Sequence, residues 1–400
     1  MKTKIPERKH EIPAFACLAA VRRGWKQMAG IYIHIPFCDT KCIYCDFYSI
    51  TNHARKNELI DCIINEIQII SPKLSTKKSE TIFFGGGTPS LLSLNDFERL
   101  FDALYSNLNI EKDSEITIEA NPGTLDKNKL VMFRKLPVNR ISFGVQSFID
   151  DELKFLSRIH NSEQAVGSIK SAQDAGFDNI NLDLIFAIPG QTLDAWKYNL
   201  LKALNLNTKH ISAYSLIFEE GTPLFSLFKQ KKVSQADIEI EREMYDYTME
   251  FLPLNGFSQY EVSNYAKPGY ECKHNLQYWE HKEYIGFGPS AASYINNNRS
   301  VNVRDLGKYI EMIKTGNNAA DFTEFIDTDT SIYEYIMLGL RSRGVDFNTF
   351  RKNYKLDFKS KYSQTINILT NEGLAQVTND NLHLTPKGYA VCDEILATYF

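Results

Sequence analysis

The chain has 400 residues, 43% of them hydrophobic and 12% aromatic, enough to bury more than one core. A formal net charge of −4 sets 45 Lys and Arg against 49 Asp and Glu, so no general basic field points to nucleic acid. No run of about 20 apolar residues offers a membrane-spanning helix, and seven cysteines, an odd count, argue against a disulfide framework and suit a reducing cytoplasm.

Residues 1–27 read as an N-terminal extension. Lys2, Lys4, Arg8 and Lys9 precede a short apolar stretch at 12–21, but Glu7, Glu11 and Pro13 break the signal-peptide pattern and Arg22-Arg23 follow it. Met28, just before the first strand, is the expected natural start. Short β-branched runs predict strands at 31–35, 81–84, 115–119, 140–145, 179–186 and 210–216. Helical patterns lie between them. Leu59, Ile60, Ile63, Ile64 and Ile67 share one face; 94–108 starts after an N-cap at Ser93; 163–175 ends at Gly176; and 193–204 follows Thr192. Six β-then-α units predict a parallel sheet with right-handed crossovers, too few to close an eight-stranded barrel. The expected α/β fold is a partial (β/α)6 TIM-like barrel over 28–220, with its site at the C-terminal strand ends.

Past Gly221-Thr222-Pro223 the pattern changes. A polar helix at 235–251, a break at Gly256-Phe257 and a strand-like 259–262 lead into an aromatic, Gly-rich stretch at 265–294, all within a connecting region, 221–327. From about Thr328 three helices precede strands at 374–377 and 382–384, joined by Asn379-Asp380-Asn381, and a last helix from Thr385-Pro386. This α+β tail, 328–400, is expected to be winged-helix-like. Without a basic, base-reading face it should pack on the barrel or a partner rather than read DNA.

The chemistry is concentrated at Cys38, Cys42 and Cys45, spaced C-x3-C-x2-C after the first strand. Three thiolates in one loop can hold three irons of a cubane cluster and leave the fourth open, whereas a closed electron-transfer cluster uses four. A structural zinc site would need a second ligand pair, and Cys17, Cys62, Cys272 and Cys392 are scattered singly. Gly85-Gly86-Gly87-Thr88-Pro89 follows the second strand and would let backbone N–H and C=O groups approach a ligand closely. Glu119, Gln146, Arg158 and Asp183 fall at or near later strand ends, where carboxylates could accept ribose hydroxyls and Arg158 could offer a donor fork. His34 is expected to organise the cysteine loop through a hydrogen bond.

The cysteine spacing resembles the signature of the radical S-adenosylmethionine (SAM) superfamily. The motifs in their order, from about Gly30 to the C-terminus, resemble oxygen-independent coproporphyrinogen III oxidase and its relatives. That likeness implies a [4Fe–4S] cluster on Cys38, Cys42 and Cys45, with SAM lined by Tyr32, Gly86, Gly87, Thr88, Glu119, Gln146, Arg158 and Asp183. Phe47 departs from it, standing where the oxidase has a fourth cysteine, and the oxidase's extended N-terminal segment is missing before Tyr32. Both departures are similar to haem chaperones of the HemW type, as is C-K-H-N-L-Q-Y-W at 272–279. There the resemblance implies haem binding, with His274 as a candidate axial ligand, Cys272 as an alternative, and aromatic faces for the porphyrin.

The resulting expectation is a cytoplasmic haem chaperone that delivers haem to clients such as respiratory enzymes. It would contact the membrane peripherally through those clients, and would take electrons from a flavodoxin or ferredoxin if SAM is cleaved. The alternative is a true coproporphyrinogen oxidase, which would decarboxylate propionates. A cluster-bearing regulator acting through the tail is a third class.

Overall fold

The computed structural model describes residues 30–74 and 78–400. The expectations for residues 1–27 and for Met28 as a start lie outside the described residues. The first half alternates strands and helices: β1 (Gly30–Ile35), α1 (Lys56–Ile70), β2 (Lys78–Gly86), α2 (Leu94–Asn107), β3 (Asn109–Ala120), α3 (Lys127–Phe133), β4 (Arg140–Gln146), α4 (Asp150–Phe155), α5 (Ser162–Asp174), β5 (Ile180–Phe186), α6 (Leu193–Asn205) and β6 (His210–Ser215). All six expected strands are present, in the parallel order β1 to β6. The caps follow local chemistry. Ser93 and Asp96 form a reciprocal capping box at α2, and the Thr192 hydroxyl accepts from Ala195 N–H at α6. On α1 the expected stripe is buried at Leu59, Ile60, Ile63 and Ile67, with Ile64 half-buried at its edge.

The connecting stretch supplies α7 (Pro223–Lys229), α8 (Ile238–Leu254), β7 (Ser258–Gln259), β8 (Asn264–Ala266), α9 (Lys273–Trp279), β9 (Tyr284–Phe287), β10 (Ala292–Ile295), β11 (Asn298–Asn302), α10 (Leu306–Lys314) and β12 (Ala320–Phe325). Its strands extend both edges of the barrel sheet. β9 pairs in parallel with β1, Gly30 opposite Tyr284, and adds a seventh parallel strand. β8 pairs antiparallel with β6, and β10, β11 and β12 continue outward from β9. The strand expected at 259–262 stops at Gln259. Val262 N–H instead donates to Arg341 O (3.0 Å), and Ser342 Oγ donates to Tyr260 O (2.9 Å), which ties the barrel to the tail.

The tail comprises α11 (Thr328–Leu340), β13 (Val345–Asp346), α12 (Phe347–Tyr354), α13 (Phe358–Lys361), α14 (Ser363–Asn371), β14 (Ala375–Val377), β15 (Asn381–Leu384), α15 (Pro386–Tyr389) and α16 (Cys392–Tyr399). It has its own apolar core around Ile336, Leu340, Phe350, Phe358 and Leu382, and a three-stranded antiparallel sheet in the order β13-β15-β14. Among the described residues no helix is long and apolar enough to cross a membrane.

Candidate cofactor site at the barrel mouth

Strand alternation puts apolar side chains outward and polar ones inward. Ile31, Ile33 and Ile35, Ile82 and Phe84, Ile116 and Ile118, and Ile141 and Phe143 are buried in one cluster with residues of the covering helices. The alternate positions carry His34, Glu115, Glu119, Arg140, Ser142, Asn181, Asp183, His210 and Ser212. A barrel interior packed for stability is filled by branched apolar residues. This one is lined for chemistry.

The cysteine loop is pinned at its two ends. Gly87 N–H donates to Ile35 O (2.8 Å), Thr88 N–H to Phe37 O (2.7 Å), Cys38 N–H to Ile50 O (2.9 Å) and Ile50 N–H to Pro36 O (2.8 Å). In between, the loop reaches across the mouth. Ile43 and Tyr44 pack on Leu156, Ile185, Leu216 and Leu224, and Leu224 N–H donates to Ile43 O (2.9 Å). Beyond Cys45, Arg304 Nη2 donates to Asp46 O and Oδ1, and Leu306 N–H donates to the Tyr48 hydroxyl (2.7 Å). Phe47, between those two clasped residues, points outward and is 69% exposed.

Cys38, Cys42 and Cys45 are half-buried free thiols. Burial raises the Cys38 thiol and pushes Cys45 up to about 11, and each is raised further by its sister cysteines, so the three face one region. Among the described residues no three His, Cys, Asp or Glu converge as they would on a single ion. A cubane, whose corners hold their thiolates apart, does not need that convergence. The other described cysteines lie elsewhere: Cys62 on α1, Cys272 at the barrel floor and Cys392 in the tail core. The donor set, three thiols without a fourth, fits a cluster with one open iron.

The glycine run is shaped by its neighbours. Gly86 has φ +106° and lies against the His34 ring, while a Cβ on Gly87 would meet Phe37 O at 2.7 Å. The expectation that this run exposes backbone N–H groups to a ligand needs correcting. Gly86 N–H donates to Glu119 Oε2 (3.2 Å), and the amides of Gly87 and Thr88 hold the cysteine loop. The run therefore offers room rather than free amide donors. His34 does organise the loop: Nε2 is hydrogen-bonded to Tyr48 O (2.9 Å) and Nδ1 to the Tyr32 hydroxyl (3.1 Å). Burial lowers its pKa to about 4, so the ring is neutral.

Glu119 is pushed up to about 8, first by burial and then by Asp183. Asp183 is raised by burial against donors from Ser142 (3.1 Å) and Asn181 (2.8 Å). Gln146 ends β4 at φ +68°, a conformation unusual outside glycine, and its amide lies beside Gly144. Arg158 donates to Cys42 Sγ (3.3 Å), Asn121 Oδ1 (2.5 Å) and Gly144 O (2.7 Å), and its buried Nε has no partner among the described residues. Thr88 Oγ donates to Cys38 Sγ (3.5 Å). Tyr32, Gly86, Gly87, Thr88, Glu119, Gln146, Arg158 and Asp183 are thus gathered at one end of the barrel around the cysteine loop.

Asn121 and Tyr214 also belong to this mouth. Asn121 stands two residues after Glu119 and bonds both Thr88 and Arg158. Tyr214 follows the inward alternation of β6, is 38% exposed and lies within charge range of Asp183. Their sequence signals were the strand-end position and the alternation.

His274 lies deeper, toward the floor, with its ring stacked on that of Tyr32 (6.5 Å). The Lys273 and His274 amides donate to the Glu115 carboxylate (3.1 Å each), docking the start of α9 beneath β3. The His274 ring is 2% exposed and stacks on Phe83 (5.0 Å). Nδ1 is hydrogen-bonded to Thr81 Oγ (2.7 Å) and Nε2 to the Tyr278 hydroxyl (2.9 Å). Burial, then Arg140, lower its pKa to about 3. To bind iron it would have to release one of those bonds.

Comparison with known proteins matches the Radical SAM superfamily over residues 32–200 and the HemN C-terminal domain over 326–391. "Heme chaperone HemW" of Bacillus subtilis is 36% identical over 375 residues, covering 93% of this chain and 99% of that protein. The protein of the same name from Lactococcus lactis is 35% identical, covering 92% and 96%. The solved structure of coproporphyrinogen III oxidase (HemN) from Escherichia coli, described as a radical SAM enzyme, superposes with a TM-score of 0.80 over 94% of this chain and 91% of its own. At 23% identity that likeness speaks to the fold.

Proposed function

The chain belongs to the HemW family of radical SAM proteins, whose members carry the name heme chaperone, and from that membership we propose that it binds haem and delivers it to haem-requiring client proteins. Kinship with a named chaperone over nearly its whole length carries this reading. The substitution of Phe47 at the oxidase's fourth cysteine supports it.

Cys38, Cys42 and Cys45 would hold a [4Fe–4S] cluster, which supplies one iron open to a further ligand. Glu119 and Asp183 would accept hydroxyl donors of SAM, with Tyr32 and Gln146 contributing to the same mouth. Gly86 and Gly87 keep the wall thin, and Thr88 and Arg158 hold the thiols' side of the pocket. Neutral His34 fixes the segment that follows the cysteine loop through Tyr48 O. Haem would be held outside this mouth, with the α9 segment around His274 as the first candidate. Respiratory enzymes are the client class proposed, reached in the cytoplasm or at the membrane surface, with a flavodoxin or ferredoxin as donor if the cluster is reduced.

The polar barrel interior also suits a second reading, oxidative decarboxylation of coproporphyrinogen III. One experiment separates them. Anaerobically reconstituted protein is given SAM, a reductant and coproporphyrinogen III, and in parallel haem with an apo-haem acceptor. We expect stoichiometric haem binding and transfer with no protoporphyrinogen. Catalytic protoporphyrinogen formation would replace the chaperone reading with the enzyme.

A further inference from the structure

Two of the three cluster cysteines are joined by a directional chain of side chains running through Asn121. Asn121 Nδ2 donates to Thr88 Oγ at 2.8 Å, and Thr88 Oγ lies 3.5 Å from Cys38 Sγ. Asn121 Oδ1 accepts from Arg158 Nη2 at 2.5 Å, and Arg158 Nη1 lies 3.3 Å from Cys42 Sγ. The chemistry fixes the polarity of every link. Arginine has donors only, so Arg158 must point its protons at Oδ1 and Sγ, and the amide must present nitrogen to Thr88. With its oxygen already accepting from that amide, the Thr88 hydroxyl turns its own proton to Cys38 Sγ. Gly144 O takes a second bond from Nη2 (2.7 Å), so Asn121 and Gly144 share the aiming of the fork.

Hydrogen bonds to the sulfurs of an iron–sulfur cluster favour its reduced, more negative state and raise its reduction potential. We infer that Asn121 is a positioning residue that directs Thr88 and Arg158 onto the Cys38 and Cys42 thiolates and thereby sets the reduction potential of the cluster. Cys45 receives no such side-chain donor among the described residues: its own N–H donates to Cys42 O and its thiol is bonded by the Phe47 backbone. The tuning is therefore asymmetric, and falls on Cys38 and Cys42. The inference rests on the cluster reading above. It adds that the loop is built to accept an electron and not only to hold iron.

The test uses the full chain, reconstituted anaerobically without SAM, so that Arg158 meets no added carboxylate. Iron content is counted first, and the midpoint potential is then measured by spectroscopic redox titration. Asn121→Leu and Thr88→Val should each carry the parental four irons and shift the potential to more negative values, Asn121→Leu further because it frees the Thr88 hydroxyl and leaves Arg158 held by Gly144 O alone. Thr88→Ser keeps a hydroxyl and should stay at the parental potential. Loaded variants that titrate with the parent overturn the inference. If Asn121→Leu fails to load, the Thr88→Val and Thr88→Ser pair decides alone. A parent that takes up no four-iron cluster overturns the cluster reading itself, a different result from an unmoved potential.

Discussion

Gly86 and His34 share a space that no side chain at position 86 could enter: a Cβ there would come within 2.5 Å of His34 Cε1. Together with a φ of +106°, this makes Gly86 a structural requirement of the cysteine loop, since the His34 ring it protects holds Tyr48 O.

Gly86→Ala should therefore destabilise the chain by more than about 1 kcal/mol, the cost of a Cβ at an incompatible backbone position. Gly86→Val should lose iron as well as SAM. Urea unfolding and iron content check this. A Gly86→Val protein with full iron and weak SAM binding would show that the glycine serves the ligand alone.

Cys38→Ala, Cys42→Ala and Cys45→Ala should each abolish the oxygen-sensitive [4Fe–4S] spectrum, while Cys62→Ala and Cys272→Ala should keep it, because those thiols are buried away from the mouth. Iron per chain after anaerobic reconstitution is the measurement. Four irons on Cys38→Ala would remove the assignment.

SAM affinity should rise with pH between about 7 and 9. Burial, then Asp183, hold Glu119 neutral up to about 8, and a cationic ligand bearing hydroxyl donors favours its ionised form. Glu119→Gln should flatten the profile. Asp183→Ala should weaken binding by about 1–3 kcal/mol, or roughly 5- to 150-fold. Equilibrium binding across pH decides it; a flat parental profile counts against Glu119 as a contact.

Stability without ligands should fall as pH rises from about 7 to 9. Three buried carboxyls have folded pKa values above the ordinary 4.5: Glu66 at about 7, Glu119 at about 8 and Glu261 at about 7, each chiefly through burial. Above about 7, where His34 and His274 are neutral in both states, the folded state binds more protons than the unfolded one. Their contribution is therefore complete below the ordinary carboxyl value and is lost as pH passes the folded values. Thermal unfolding across pH, with Glu66→Gln as the variant that shallows the slope, provides the check.

His274→Ala should alter the haem absorption spectrum if the α9 segment holds haem. It should also destabilise the chain by about 1–3 kcal/mol, because Thr81 and Tyr278 lose a buried partner. Tyr278→Phe separates the two effects. It frees the Nε2 side of the ring without removing it, and should shift the spectrum only if His274 meets the iron. Unchanged spectra in both variants would confine His274 to packing.

The first six strands, the Ser93 and Thr192 caps and the cysteine loop were legible because each is written in contiguous residues. The pairing of β9 with β1 was not. Tyr284–Phe287 is a four-residue run, too short for a period, and its partner lies about 250 residues earlier. Asn121 was hidden for another reason: its role comes from two side chains on other elements. His274 was visible as a residue type, but the bonds closing both its ring nitrogens were not.

The clasp on the residues after Cys45 has a consequence for biogenesis. Arg304 and Leu306 seize Asp46 and Tyr48 across 258 positions of sequence. A ribosome that has finished the six barrel strands has made every thiol of the loop and none of this clasp. The loop can take its final shape only after residue 306 has left the exit tunnel, so the cluster proposed for it would be loaded onto a chain that already carries this clasp and not onto the nascent barrel.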